Sequence, residues 1–211
     1  MRSFHPDDSA GLAEHLLSNM GPERRIVALA GAPGSGKSTL ADALAAEINR
    51  RGVTAEVVPM DGYHYDDCVL EARGLRPRKG APETFDVLGF AALLGRLRRN
   101  ADPEVAIPVF DRSIEIARAG ARLIPQETRL LIVEGNYLLL NRGHWSSLAE
   151  LYDETVFLDV AEGVLRDRLQ SRWVDAGLDA EGIAWKLDGN DLPNGRLVRE
   201  ASFAADIVLK A

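Results

Sequence analysis

The chain carries one cysteine, Cys68, in 211 residues. No disulfide can form within it and a cysteine-built metal site is excluded, which leaves a buried, unreactive thiol as the expectation. The four histidines, His5, His15, His64 and His144, are too scattered to make a zinc site. No apolar run approaches the ~18–20 residues of a membrane span. The segment from Met1 to Asp8 has no signal-peptide pattern. These absences lead us to expect a cytoplasmic protein with no membrane partner. Positive charge is in deficit, with 25 Lys and Arg against 32 Asp and Glu and a net charge of −7. A nucleic acid held by bulk electrostatics is therefore not expected. No internal repeat, low-complexity stretch or linker divides the chain. Its length suits one α/β domain over residues 1–211, with a lid and substrate-side insertions inside it.

Against these absences stands one dense motif, Gly31-Ala32-Pro33-Gly34-Ser35-Gly36-Lys37-Ser38-Thr39. It follows the apolar run Ile26 to Ala30 and precedes a helical pattern in which Leu40, Leu44 and Ile48 recur every four residues. Strand, glycine-rich loop and helix in that order fit the P-loop pattern G-x-x-x-x-G-K-[ST]. Glycines let successive N–H groups point inward at a phosphate chain, and the helix adds its positive dipole end. Lys37 would reach the β- and γ-phosphates of ATP, and Ser38 would give its hydroxyl to Mg²⁺.

Further strands are expected over Arg25 to Ala30, Thr54 to Met60, Arg129 to Val133, Thr155 to Val160 and Ile207 to Lys210. Helices are expected over 8–19, 37–51, 86–99, 162–174 and 180–187. Residues 105–110 and 121–124 read as a two-stranded ribbon around Gly120, and residues 66–85 as a mobile substrate-side segment with room for one helical turn. Alternating strands and helices predict a mostly parallel, five-stranded sheet with helices on both faces.

Several residues outside the P-loop have chemistry to offer. Asp61 sits at the carboxyl end of a strand, where ligands bind in open α/β sheets, and can take the proton of an attacking hydroxyl. From spacing alone it is equally a turn carboxylate before Gly62. Glu134 follows the buried run Leu130 to Val133, where a P-loop protein places the carboxylate that organises Mg²⁺; a loop carboxylate is the plainer alternative. Arg166, Arg168 and Arg172 share one helix, with Arg168 and Arg172 four apart and on one face. They can close over a triphosphate or pair with Glu162, Asp167 and Asp175 on the surface. His64 with Tyr65, Lys79, Asp111 and Arg112 are substrate-side candidates or ordinary turn residues. Trp145, Trp173 and Trp185 read as packing anchors.

Five blocks together resemble the phosphoribulokinase/uridine kinase/pantothenate kinase family of P-loop kinases, over nearly the whole chain. They are Gly31 to Thr39, Met60 to His64, Arg78 to Asp86, Ile107 to Arg112 and Val133 to Leu139. The chain is also similar to shorter bacterial proteins labelled as fructose-transport-system kinases, in which the run Trp185 to Gly195 recurs. The resemblance implies that Asp61 is the general base, that Lys37 and Ser38 meet phosphate and Mg²⁺, and that Arg166, Arg168 and Arg172 belong to the lid. It places Lys79, Asp111 and Arg112 near the acceptor. It implies ATP and Mg²⁺ as cofactors, a small hydroxyl compound such as fructose as acceptor, and leaves a homodimer open. The chain is shorter than pantothenate kinases and lacks the His-Pro-Asp block of uridine kinases, so neither substrate transfers directly. A pantothenate- or nucleoside-type kinase remains an alternative. A nucleotide switch acting on a protein has less behind it, because the chain contains neither an Asn-Lys-x-Asp nor a Leu-Ser-Gly-Gly-Gln motif.

Overall fold

A computed structural model describes residues 2–4 and 8–210; residues 1, 5–7 and 211 lie outside it, and with them part of the N-terminal stretch examined for a signal. The strands of the main sheet are β1 (Arg2–Phe4), β2 (Arg25–Gly31), β3 (Ala55–Pro59), β6 (Leu130–Gly135), β7 (Glu154–Asp159) and β8 (Ile207–Lys210), with β4 (Glu104–Asp111) and β5 (Ile116–Pro125) forming a separate ribbon. The helices are α1 (Ser9–Ser18), α2 (Lys37–Arg50), α3 (Asp67–Ala72), α4 (Val87–Arg99), α5 (Glu162–Asp175), α6 (Ala180–Lys186) and α7 (Leu192–Ala201). The main sheet has the order β1-β8-β7-β2-β6-β3, and every pairing in it is parallel. The five expected strands are present, and the short β1 adds a sixth at the edge.

β2 occupies the middle because its residues are apolar on both faces, as a strand covered twice must be. Alternation sends Ile26, Ala28 and Ala30 to one side, where Phe90, Leu94 and Leu97 of α4 and Trp145 cover them. Val27 and Leu29 go to the other side, against Leu12 and Leu16 of α1 and Leu40, Leu44 and Ile48 of α2. Each fully buried Leu, Ile or Phe contributes about 1.5–3 kcal/mol. The two layers hold the sheet's carboxyl edge rigid, and all the candidate chemistry leaves from that edge.

Four expectations need correction. The β4–β5 ribbon turns at residues 112–115, not at Gly120. Gly120, with φ +65°, lies inside β5 opposite the point where the register shifts between Ile107 and Val109. Pro108, which has no N–H to pair, occupies that point, so the glycine serves a bulge. Residues 66–85 hold more than the one helical turn expected: α3, two 3₁₀ turns, and buried Leu70, Ala81, Thr84 and Phe85. Cys68 is exposed rather than buried, in the first turn of α3 beside Asp66, whose carboxylate pushes its thiol pKa up. Of the three tryptophans Trp145 is buried, but Trp185 is exposed. α7 also goes unread in the sequence, because Pro193 and Gly195 argue against a helix there. Pro193 falls in the first turn, where its missing N–H costs nothing.

Candidate active site

The glycine-rich loop leaves β2 and curls back into α2. Gly34 and Gly36 take left-handed backbone, with φ +77° and +93°, which an L side chain adopts only under strain. Gly36 precedes α2 and supplies no side-chain cap, so the first N–H groups of the helix stay available to an anion. A Cβ on Gly31 would lie 2.9 Å from Ser35 Oγ and 3.0 Å from the Leu158 carbonyl, which fixes how tightly the loop starts.

The groups around the Lys37 ammonium mark out the centre of the site. Burial holds its pKa below the usual lysine value, the carboxylates of Glu134 and Asp61 pull it back up, and Arg172 and Arg112 push it down. Glu134, at the end of β6, is buried, and Ser38 Oγ donates to its Oε2 at 3.1 Å. Burial raises the Glu134 pKa while Lys37 opposes the rise. A serine hydroxyl and a carboxylate at the mouth of a P-loop are the oxygen donors a hard cation takes.

Asp61 lies in the 3₁₀ turn Met60–Tyr63 that continues β3, and Arg112 Nη2 donates to its Oδ2 at 2.9 Å. The next residue, Gly62, packs so closely on the ribbon that a Cβ there would lie 2.4 Å from the Pro108 carbonyl. His64 donates from Nδ1 to the Asp61 carbonyl at 2.8 Å, with its ring 4.0 Å from that of Phe85 and 4.8 Å from that of Phe110. That burial lowers its pKa. Lys79, with a side chain only 7% exposed, donates to Asp67 Oδ1 and to the Glu115 carbonyl, each at 2.7 Å. From α5, Arg168 Nη1 donates to the Ser35 carbonyl at 3.0 Å and braces the P-loop. Arg172 is exposed, yet the protein packed around it displaces enough water to lower its pKa, and the charge of Arg112 adds to the fall.

One cleft of about 280 Å³ brings together Lys37, Ser38 and Thr39 of the P-loop with Asp61, His64, Lys79, Arg112, Arg168 and Arg172. Seven candidates are not part of its walls: Gly31, Ala32 and Ser35 of the loop, Glu134, which meets the cleft through Ser38, and Arg166, Asp111 and Tyr65. Arg166 pairs with Asp188 at 2.6 Å, because two residues along a helix turn it about 200° away from Arg168. Asp111 accepts from Ser113 and Arg118 on its own ribbon and points away from its neighbour Arg112. Tyr65 lies under the Arg73 guanidinium, 4.5 Å from ring to charge.

The cleft also includes Trp173, read from the sequence as a packing anchor, and four residues that sequence reasoning gave no role: Asn136, Asn190, Asp191 and Asn194. Residues Leu187–Asp191 form a π-helical turn between α6 and α7. Such turns displace side chains from the regular helical path. Here Asn190, 3% exposed, donates to the Lys79 carbonyl at 3.0 Å and accepts from Asn194 at 3.1 Å. Trp173 Nε1 donates to Asp191 at 2.7 Å. Asn136 Oδ1 is buried with no hydrogen-bond partner among the described residues. The available signals were two blocks, Val133 to Leu139 for Asn136 and the recurring run Trp185 to Gly195 for Asn190, Asp191 and Asn194.

Comparison with known proteins follows this geometry. A family model described as "Methylmalonyl Co-A mutase-associated GTPase MeaB" matches residues 1–64, under a third of the chain. A protein of Schizosaccharomyces pombe named "Putative uridine kinase C227.14" is 38% identical over 97% of this chain and 89% of its own length. The chain belongs to the phosphoribulokinase/uridine kinase/pantothenate kinase family of P-loop kinases. A family kinase of Enterococcus faecalis named "Pantothenate kinase" is 32% identical over 72% of this chain and 49% of its own length. The crystal structure described as a "putative fructose transport system kinase" from Silicibacter sp. TM1040 superposes with a TM-score of 0.89 at 45% identity, covering 95% of this chain and 98% of that one. Members of this family are phosphotransferases with a nucleotide-binding P-loop, and this chain has the fold and the loop to match.

Proposed function

We propose that the protein transfers the γ-phosphate of Mg·ATP to a hydroxyl of a small metabolite, with a sugar such as fructose as the first candidate because of the name carried by its similar bacterial structure. The observation that carries this reading is that the phosphate-binding lysine and a strand-end carboxylate, Lys37 and Asp61, open on the same cleft. Asp61 receives the proton of the acceptor hydroxyl, and the acceptor oxygen bonds to the γ-phosphorus as the bond to ADP breaks. Lys37 and the N–H groups of residues 34–39 hold the phosphates, while Arg168 and Arg172 offset the charge that develops on the transferring group. Ser38 and Glu134 would hold Mg²⁺, which supplies neutralisation of the β- and γ-phosphate charge. Lys79, Arg112 and His64 shape the acceptor side. Among the described residues no helix is long and apolar enough to cross a membrane, in keeping with a cytoplasmic kinase.

The test is ADP release from Mg·ATP across a panel of acceptors: fructose and other sugars, pantothenate, uridine, glycerate and ribulose 5-phosphate. One acceptor raising turnover far above the ATP-only background is the expected outcome. ATP binding with a flat response to every hydroxyl compound, together with stimulation by a protein partner, would replace the kinase reading with a switch.

A further inference from the structure

The proposed base is not free. Arg112 Nη2 occupies Asp61 Oδ2 at 2.9 Å, and Asp61 is the one ion-pair partner of that guanidinium among the described residues. The Arg112 side chain is 61% exposed and stands in the mouth of the cleft, where an acceptor must enter. A carboxylate oxygen engaged by a charge-assisted hydrogen bond is a poorer proton acceptor for anything else.

The ribbon that presents Arg112 is held down at two further points. Close packing of Gly62 on Pro108 clamps its stem. At its tip Lys79 Nζ binds the Glu115 carbonyl at 2.7 Å, and Glu115 has φ +55°, an uncommon conformation for a side chain-bearing residue. The tip is thus set over Asp61 by contacts that do not involve the nucleotide.

Charge decides what can release Asp61. The Arg172 guanidinium, which has no hydrogen bond or ion pair among the described residues, lies close enough to Arg112 for the two to repel. Once Asp61 turns to a hydroxyl and takes its proton, Arg112 loses its ion-pair partner, while Arg172 still has the carboxylate of Asp191 nearby. Asp111 cannot serve, because Ser113 and Arg118 hold it. A neutral acceptor would leave the Arg112 guanidinium without an ion-pair partner and beside a second guanidinium, a loss that an anionic group on the acceptor would make good.

Resting on the kinase reading above, we infer that Arg112 gates the base: it holds Asp61 while the acceptor is absent and releases it when an anionic group of the acceptor, a carboxylate or a phosphate, takes its place. Within the small hydroxyl metabolites proposed above, this favours a hydroxylated acid or a sugar phosphate over the free sugar suggested by the name of a similar structure. The gate also restrains wasteful hydrolysis, in which water gives its proton to Asp61, its oxygen bonds to the γ-phosphorus, and the bond to ADP breaks to leave phosphate.

The experiment needs no acceptor. ADP release from Mg·ATP alone is compared for the wild-type protein, Arg112→Ala, Arg112→Lys, and Arg112→Ala combined with Asp61→Asn. Arg112 is an exposed ribbon-tip residue, so its loss leaves the fold intact, which circular dichroism checks. The expected result is a several-fold rise in Arg112→Ala, no rise in Arg112→Lys, and no rise in the double variant. Equal rates in the wild type and Arg112→Ala would overturn the gate, and would mean that the γ-phosphate itself draws Arg112 away. Potassium acetate and inorganic phosphate are then added to the wild type at constant ionic strength, beside glycerol. A rise with the anions but not with glycerol, absent in Arg112→Ala, supports the anionic acceptor; no rise, or an equal rise with glycerol, overturns it. Failure of the parent reading looks different: a protein that is no kinase would give a flat response across the whole acceptor panel, whatever residue stands at 112 and whether or not an ATP analogue binds.

Discussion

The two ends of the cleft are built on different principles. The nucleotide end is nine consecutive residues, Gly31 to Thr39, whose shape comes from backbone conformation: two left-handed glycines and the start of a helix. The acceptor end is gathered from segments far apart in the chain. Side chains tie it together by bonding to distant carbonyls: Lys79 to Glu115, Asn190 to Lys79, and Tyr137 Oη to Gly80 at 2.7 Å. A backbone-built site tolerates little change and recurs across P-loop folds. A side-chain-built site can be retuned one residue at a time.

The sharpest break between the two ends is expected at Asp61. Asp61→Asn removes a proton acceptor and leaves the P-loop untouched. Turnover should fall by about 10²–10⁴-fold, while the affinity for an ATP analogue, read by titration calorimetry, stays at the wild-type value. A parallel loss of ATP affinity would mean that the two ends are one unit.

Next comes the amide that fastens the acceptor end. Asn190→Ala leaves the Lys79 carbonyl without its amide donor and Asn194 without its acceptor, both in buried surroundings. The cost expected in chemical denaturation is about 1–3 kcal/mol. The KM for the acceptor should rise while the KM for ATP does not. Equal rises in both constants would show that the π-helical turn serves the nucleotide as well.

The same contrast explains what could be read from the sequence. Glycine spacing, a lysine and a following hydroxyl are local, so the P-loop was legible, and the buried runs of β2, β3, β6, β7 and β8 gave the sheet. The positions of Asp61 and Glu134 at strand ends follow from where apolar runs stop, but spacing left Asp61 equally a turn carboxylate, and only the family resemblance implied a base. The arginines of α5 were only partly so: a spacing of four put Arg168 and Arg172 on one face, and the same geometry should have removed Arg166. Asn190 and Asn194 could not be found this way, since a π turn breaks the helical period on which such readings depend. Neither could the Asp61–Arg112 pair, which is a long-range contact across 51 positions.

A milder effect is expected from pH. The imidazole of His64 is held by Asp61, Phe85 and Phe110, and Lys79 and Arg112 add like charge nearby. Burial is the largest cause of its lowered pKa. The unfolded chain therefore takes up the proton first on acidification. The stabilisation is complete above the ordinary histidine value of about 6.5 and is lost as pH falls through the lower folded value. Melting temperatures between about pH 7.5 and 5 should decline less steeply in His64→Gln than in the wild type. Identical slopes would place the acid sensitivity elsewhere.

The smallest expected effect is the most discriminating for the lid. Arg166 and Arg168 are two positions apart on the same helix, yet Arg168 braces the Ser35 carbonyl while Arg166 meets Asp188 at the surface. Exposed ion pairs contribute little to stability. Arg166→Ala should therefore leave turnover, ATP affinity and melting temperature at wild-type values. Arg168→Ala, measured beside it, should lower turnover by roughly 10²-fold, as removal of one preorganised donor does. If Arg166→Ala is as damaging as Arg168→Ala, then α5 rotates or slides when nucleotide binds, and the pair with Asp188 is the resting contact of a moving lid.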